Sequence, residues 1–219
     1  MSEDDIIQEM LLNEDNDDQL TPKQRKILQA AVEMFAEKGY ASTSTSEIAK
    51  RAGVAEGTIF RHYKTKKDLL YSIAVPMITK FAAPFFAQHF VKHVFNDQYS
   101  GYDELLRKLI HNRFEFAKEN IPLLKIVLQE MAFQHEMQEK YKEIFSENVL
   151  PRFREVVDHF KEKGQIEDYP TETVIRLTIT TIVGFLVTRF IIMPDYPWDD
   201  EQEIERTISF ILHGLETQS

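Results

Sequence analysis

From Leu20 onward the apolar residues recur at three- and four-residue intervals, the period of helices packed by one face. No pair of alternating strand-like runs joined by a hairpin signal interrupts them. The first helix is predicted to open at Thr21-Pro22-Lys23-Gln24, where Thr caps, Pro fits the first helical position and Gln24 completes a capping box. Its buried stripe is Ile27, Leu28, Ala31, Val32 and Phe35, and Gly39 ends it. A second capping box, Ser44 with Glu47, starts a short helix with Ile48, Ala49 and Ala52 inside and Gly53 as its stop. A third short helix is expected over 56–63. A fourth begins at the capping box Thr65/Asp68 and is expected to reach Phe95, with kinks at Pro76 and Pro84.

Residues 96–101 read as a loop, followed by a helix over 102–119 and a break at Asn120-Ile121-Pro122. Further helices are expected over 122–135, 136–163 and 170–192, with Gly164 as a stop. Pro194 and Pro197 interrupt the chain before a last helix that starts at Asp199 or Asp200 and ends at Gly214. The fold class is all-α. The 174–192 stretch is almost long enough to span a bilayer, but it carries Arg176, Arg189 and four threonines. The expectation is a helix buried in protein, with a dimer interface as the natural place and no membrane involved.

Charge changes the picture. The net formal charge of −10 is unevenly spread. Residues 1–20 carry eight acids and no Lys or Arg, residues 21–70 carry a net +5, and the remainder carries −7. A basic module therefore lies between an acidic leader and an acidic body, and phosphate neutralisation is a local requirement. There is no cysteine, which excludes disulfides, thiol catalysis and cysteine-ligated metal, and fits a reducing cytoplasmic setting. The N-terminus does not read as a signal peptide. No Gly-rich phosphate loop, G-x-S-x-G elbow or H-E-x-x-H is present, so an enzyme is not expected. His89 and His93 have metal-compatible spacing but no third ligand nearby, so neither a metal nor a cofactor is expected.

The most informative stretch is STSEIAKRAGVAEGTIFRHYKTKKDLL, residues 44–70. It reads as helix, Gly-containing turn, helix. Ile59 anchors the second helix to the core. Glu56, Gly57, Thr58, Phe60, Arg61, His62 and Tyr63 are free to face outward, backed by Lys64, Lys66 and Lys67, a composition suited to a major groove and its phosphates.

Residues 21–70 closely resemble the DNA-binding domain of the TetR family of bacterial repressors. The resemblance rests on Gly39, Tyr40, Glu47, Ile48, Ala49, Ala52, Gly53, Val54, Gly57, Thr58, Ile59, Phe60, His62, Tyr63, Lys66, Asp68 and Leu69. It implies phosphate contacts from Thr45, Ser46, Thr58, Tyr63 and Lys66. It implies approach to bases by Glu56, Gly57, Phe60, Arg61 and His62. Packing is the alternative for Tyr63, backbone contact for Arg61 and a plain surface position for His62. Two positions depart from the pattern. Ala55 replaces the usual capping Ser, and Glu56 stands where Lys is frequent. A glutamate accepts from cytosine N4 but repels phosphate.

For the rest of the chain the resemblance implies a helical bundle with a ligand cavity between middle helices and a homodimer through the last two helices. The organisation expected is an acidic extension (1–20), a helix-turn-helix domain (21–70) and a ligand-binding and dimerisation domain (71–219). Most of the phenylalanines must build a core, and some are expected to line an apolar pocket. The candidate lining is Phe81, Phe85, Ile110, Arg113, Phe114, Met131, Phe133, Phe185 and Arg189. Arg113 and Arg189 lie on apolar stripes and so need a carboxylate, from the chain or from an acidic, fatty ligand. Ile182 and Phe185 are the expected interface positions. The function expected is a repressor released from a palindromic operator by a small, largely apolar or amphiphilic ligand. The alternative is a helix-turn-helix protein without an inducer, controlled by a protein partner or acting in chromosome organisation.

Overall fold

The computed structural model describes residues 20–86 and 101–214, all helix and connecting turns with no strand among them. The expected 96–101 loop, the helix extension toward Phe95 and the His89/His93 pair lie outside the described residues. The chain divides into two units, one of residues 1–80 and 119–143, the other of residues 81–118 and 144–219.

In the first unit, helix α1 (Pro22–Lys38) has the capping box expected of Thr21 and Gln24, with Pro22 at its start. Helix α2 (Thr45–Ala52) is capped reciprocally by Ser44 and Glu47 and ends at Gly53, whose φ of 67° is the left-handed conformation that glycine adopts without strain. Helix α3 (Glu56–His62) follows with Ala55 at its N-cap and no side-chain cap. Helix α4 (Lys66–Phe86) opens on Thr65 and Asp68, each accepting the other's backbone N–H at 3.0 Å. It runs without a break through Pro76 and Pro84. Ile27, Ala31, Phe35, Ile48 and Ile59 are at most 1% exposed, so α1, α2 and α3 share one small core. Helix α6 (Ile121–Met131) packs against α1. It stops at Met131, short of the expected His135, because Ala132 and Phe133 form a turn before α7 (His135–Ile144).

The second unit is built from α5 (Tyr102–Glu119), α8 (Leu150–Glu162), α9 (Thr171–Val187) and α10 (Asp200–His213). Residues 136–163, expected as one helix, contain a π turn at Phe145–Val149. Its end bond runs from Leu150 N–H to the Phe145 carbonyl, directly before Pro151, which has no N–H to continue the α pattern. A second π turn, Thr188–Ile192, ends α9 before the proline-broken connection. The core is Leu105, Ile110, Phe153, Val156, Phe160, Ile175 and Ile182. Tyr102 joins two of its helices, packing on Phe160 at 5.4 Å and sharing a hydrogen bond with Thr178 at 3.3 Å. Arg107 on α5 grips Glu205 on α10 through two bonds of 2.8 and 2.9 Å.

Thr171–Ile192 is long and apolar enough to cross a membrane by length and composition, and 28% of its apolar window is buried within the chain. Leu177, Thr180 and Gly184 form an exposed line along α9, at the i, i+3, i+7 spacing of one helix face. On α10, Phe210 is exposed as well. Of the expected interface positions, Ile182 has almost no surface left for a second copy, whereas Phe185 is half-buried. Ile182 is buried in the chain's own core, and Phe185 stacks on Phe114 at 6.0 Å. Periodicity marked the helix as apolar all round, but it does not say which side meets its own chain.

Candidate nucleic-acid interface

Gly53 closes α2: its N–H bonds back to Lys50 O, and Val54 N–H bonds to Ala49 O. Helix α3 leaves that turn with Ile59 fully buried beneath it. This single anchor leaves Glu56, Gly57, Phe60, Arg61 and His62 exposed, with Phe60 at 47% despite its apolar ring. An exposed aromatic beside Arg and His suits a base edge or a thymine methyl group. Nothing lies within 4 Å of a side chain added at Gly57, so the helix surface there is open to close approach.

Phe60 also borders an open groove of about 530 Å³ with Ala41, Ser42, Thr43, Ser44, Thr45, Lys64, Thr65 and Lys66. Five hydroxyl side chains and two lysines around one groove form a surface able to hold a phosphate backbone. Of these, Lys64 is expected from the sequence as support for the phosphates and Ser44 and Thr65 only as helix caps, while Ser42 and Thr43 carry no expectation. The signal for Ser42 and Thr43 is the hydroxyl run at 42–46, in which only Thr45 and Ser46 are expected at phosphate.

Several expected contacts have other engagements. Lys66 Nζ donates to the carbonyls of Tyr40 and Thr43 at 2.8 Å each and sits 4.3 Å from the Tyr40 ring centroid. It braces the α1–α2 loop, and Thr43 holds the same loop by donating to Gly39 O at 2.9 Å. Tyr63 is buried. Desolvation pushes its hydroxyl up to about 12, with a hydrogen bond to Ser72 acting in the opposite direction. The packing alternative for Tyr63 is therefore the one its surroundings match. Thr45 Oγ1 donates to Glu56 Oε1 at 2.6 Å. Ser46 is exposed on the first turn of α2, and Thr58 is half-buried on α3.

The local charge is sharper than the sum. Arg51 is paired with Glu33 and Glu37 at 2.8 and 3.3 Å, Lys38 with Glu47 at 3.0 Å, and Lys67 with Glu136 at 2.5 Å. Lys50, Arg61 and Lys64 are exposed and carry no ion pair among the described residues. Lys23 and Lys26 on α1 are likewise exposed without an ion pair among the described residues, so α3 and the connection after it carry part of the unpaired positive charge, in Arg61 and Lys64. Glu47 is held down to about 2, first by the Ser44 backbone N–H and then by Lys38 and the Ser44 hydroxyl, so this cap stays ionised at neutral pH.

The expected pocket residues separate into groups. In the second unit Ile110, Arg113 and Phe114 are buried, and Phe114 meets Phe185 at 6.0 Å and Phe190 at 5.0 Å. Arg113 donates from Nε and Nη2 to Asn112 Oδ1 at 3.2 and 2.6 Å, and burial lowers its guanidinium to about 10. Arg189 has the carboxylate that its sequence position called for: it bonds Asp200 at 2.6 and 3.2 Å. That pair ties the end of α9 to the start of α10. Met131 and Phe133 belong to the first unit, where Met131 is half-buried and Phe133 is 82% exposed. Phe81 and Phe85 lie on α4, and their side chains are outside the described residues. Among the described residues no three His, Cys, Asp or Glu side chains are grouped to hold a metal.

Comparison with known proteins places this geometry. The sequence profile of the family described as "Bacterial regulatory proteins, tetR family" matches residues 27–73. The fatty acid metabolism regulator protein of Bacillus subtilis (strain 168) is 51% identical over 55 residues, a match spanning 25% of this chain and only 28% of that relative. Among solved structures, the fatty acid degradation regulator FadR from Bacillus halodurans superposes with a TM-score of 0.69 at 25% identity, over 92% of this chain and all of that one. The Bacillus subtilis regulator FadR in complex with stearoyl-CoA superposes with a TM-score of 0.63 at 26% identity, over 87% of this chain and 98% of that one.

Proposed function

This chain is a TetR-family transcriptional regulator, and from that premise we propose that it is a homodimeric repressor released from a palindromic operator by a long-chain acyl ligand with an anionic head group. The observation that carries the ligand class is Arg113. The guanidinium is buried on α5, 4.8 Å from the Phe116 ring centroid, on the same helix whose Phe114 packs with Phe185 and Phe190, so a cation and an aromatic cluster lie in one apolar unit. An acyl thioester or carboxylate head would meet the cation while its chain takes the apolar surface. The stearoyl-CoA bound by the Bacillus subtilis regulator is of this class. The comparisons do not favour a helix-turn-helix protein without an inducer.

The domain roles follow. Residues 21–70 read DNA, through α3 in the major groove and the hydroxyl-lined groove on phosphates. Residues 71–219 bind ligand and dimerise, and residues 1–20 are an acidic extension. Dimerisation occurs through α9 and α10. A second copy would cover Leu177, Thr180, Gly184 and Phe210 by two-fold symmetry. An inverted-repeat operator requires the two copies of α3 to stand about one DNA turn apart, roughly 34–36 Å. A ligand that binds better to a different spacing shifts the population off the operator. The protein acts in the cytoplasm and has no catalytic role.

Selection from a random DNA library, followed by fluorescence anisotropy on the enriched site, tests the reading. The expected site is an inverted repeat with half-site centres about 10 base pairs apart. Stearoyl-CoA at micromolar concentration is expected to release it. A single direct half-site, or a complex unaffected by saturating acyl-CoA of any chain length, contradicts the proposal.

A further inference from the structure

The first residue of α3 is an acid on a surface that has to meet a polyanion. Glu56 is exposed, yet its carboxylate is not a loose surface charge. Oε1 accepts from Thr45 Oγ1 at 2.6 Å, a bond between the first residue of α2 and the first residue of α3. The bond holds one oxygen and the side chain's direction. Oε2 has no partner among the described residues and stays available. The same bond commits the single hydroxyl proton of Thr45 to Glu56, so Thr45 cannot donate it to a phosphate at the same time.

We propose that Thr45 and Glu56 form a base-reading pair, in which Thr45 positions the Glu56 carboxylate and Glu56 selects cytosine through its N4 amine in each half-site. This deepens the DNA-binding reading above and rests on it. A carboxylate only accepts hydrogen bonds. The major-groove edges of guanine and thymine present acceptors at O6, N7 and O4, and these repel it. Cytosine presents the N4 donor without a neighbouring N7 acceptor, which adenine carries beside its own amine. Preorganisation by Thr45 removes much of the rotamer freedom that a glutamate would otherwise lose on binding. The negative charge acts a second time on non-cognate DNA, where no amine offsets its repulsion from phosphate. The pair therefore raises discrimination from both sides: it adds a contact at the right base and a penalty elsewhere.

Library selection is run with the full-length wild type and with Glu56→Ala, Glu56→Gln, Thr45→Val and Thr45→Ser, each checked for a wild-type melting temperature. Wild type is expected to enrich cytosine about tenfold at one symmetric position per half-site. Glu56→Ala loses that preference alone and binds random-sequence DNA more tightly at low salt. Glu56→Gln moves the preference to adenine, whose N6 and N7 match an amide. Thr45→Val weakens the cytosine preference without touching other positions, and Thr45→Ser restores it. A merely structural Thr45 would lower affinity at all positions equally. An enriched site whose profile is unchanged in Glu56→Ala overturns the pair and leaves the DNA-binding reading standing. A wild type that enriches no site overturns both.

Discussion

The region matched by the family profile and the second unit are both helical, yet they carry function in opposite ways. In residues 27–73 the functional side chains lie close in sequence, and the starts of α2 and α4 are each fixed by their own few residues. Glu47 caps α2 from three residues away, and Gly53 makes the turn that aims α3. In the second unit the contacts are long-range. Phe114 finds Phe185 and Phe190 across more than seventy residues of chain, and Arg107 finds Glu205 across ninety-eight. A short turn that must present a fixed surface to DNA is constrained residue by residue. A bundle that has only to enclose an apolar group can do so with many sequences.

The comparison breaks most visibly at the dimer. Leu177 is 47% exposed in a single chain, so Leu177→Glu should leave monomer folding intact and bury a charge only where a second copy covers it. Operator affinity is expected to fall about 100-fold or more as bivalent binding is lost, with a monomer seen by sedimentation at micromolar concentration. A dimer of wild-type affinity would place the interface elsewhere. Next in size is Arg113→Met. Burial disfavours the cation, as its lowered value of about 10 records, while the replacement also gives up the bonds to Asn112, so the two effects offset and the melting temperature of ligand-free protein should stay within a few degrees of wild type. Acyl-CoA affinity should fall about tenfold, as loss of one charge-assisted contact implies, while operator affinity stays. Lower stability together with unchanged ligand affinity would remove Arg113 from the head-group role.

The two smaller effects belong to the first unit. Ala55→Ser supplies the N-cap that α3 lacks, and calorimetry should show a gain of about 0.5–2 kcal/mol. No gain would mean that the Glu56 carboxylate already serves the helix end. Glu47 tests the pH sign. Its value is depressed to about 2 from the ordinary 4.5, so the cap contributes fully above 4.5 and is lost as pH falls toward 2. Wild type should melt above Glu47→Gln at pH 7, with the gap closing between pH 4.5 and 2. A gap that is constant with pH would show that the charge is irrelevant.

The same contrast explains what the sequence made legible. The capping boxes at Thr21, Ser44 and Thr65, the Gly53 turn and the buried Ile59 were all readable, because each is decided within four residues. Lys66 was readable as a functional lysine but not as a brace. Its carbonyl partners at Tyr40 and Thr43 lie more than twenty residues upstream, and loop carbonyls leave no mark in composition. Arg189 was correctly marked as needing an acid, yet only the fold supplies Asp200. The outward side of α9 was hidden because Leu177 and Ile182 are equally apolar in sequence and differ only in what lies beside them. Phe133 misled for the converse reason: an aromatic next to a helix end reads as core and stands in solvent.

The central claim is that ligand in one region changes DNA binding by the other. Linkage makes the claim reciprocal, so operator DNA must weaken ligand binding by the same factor by which ligand weakens operator binding. Isothermal titration of stearoyl-CoA into the full-length protein, free and saturated with its selected operator, reads this directly. The account predicts affinity weaker by about 5- to 150-fold on the operator complex. Equal affinity in both titrations would contradict it.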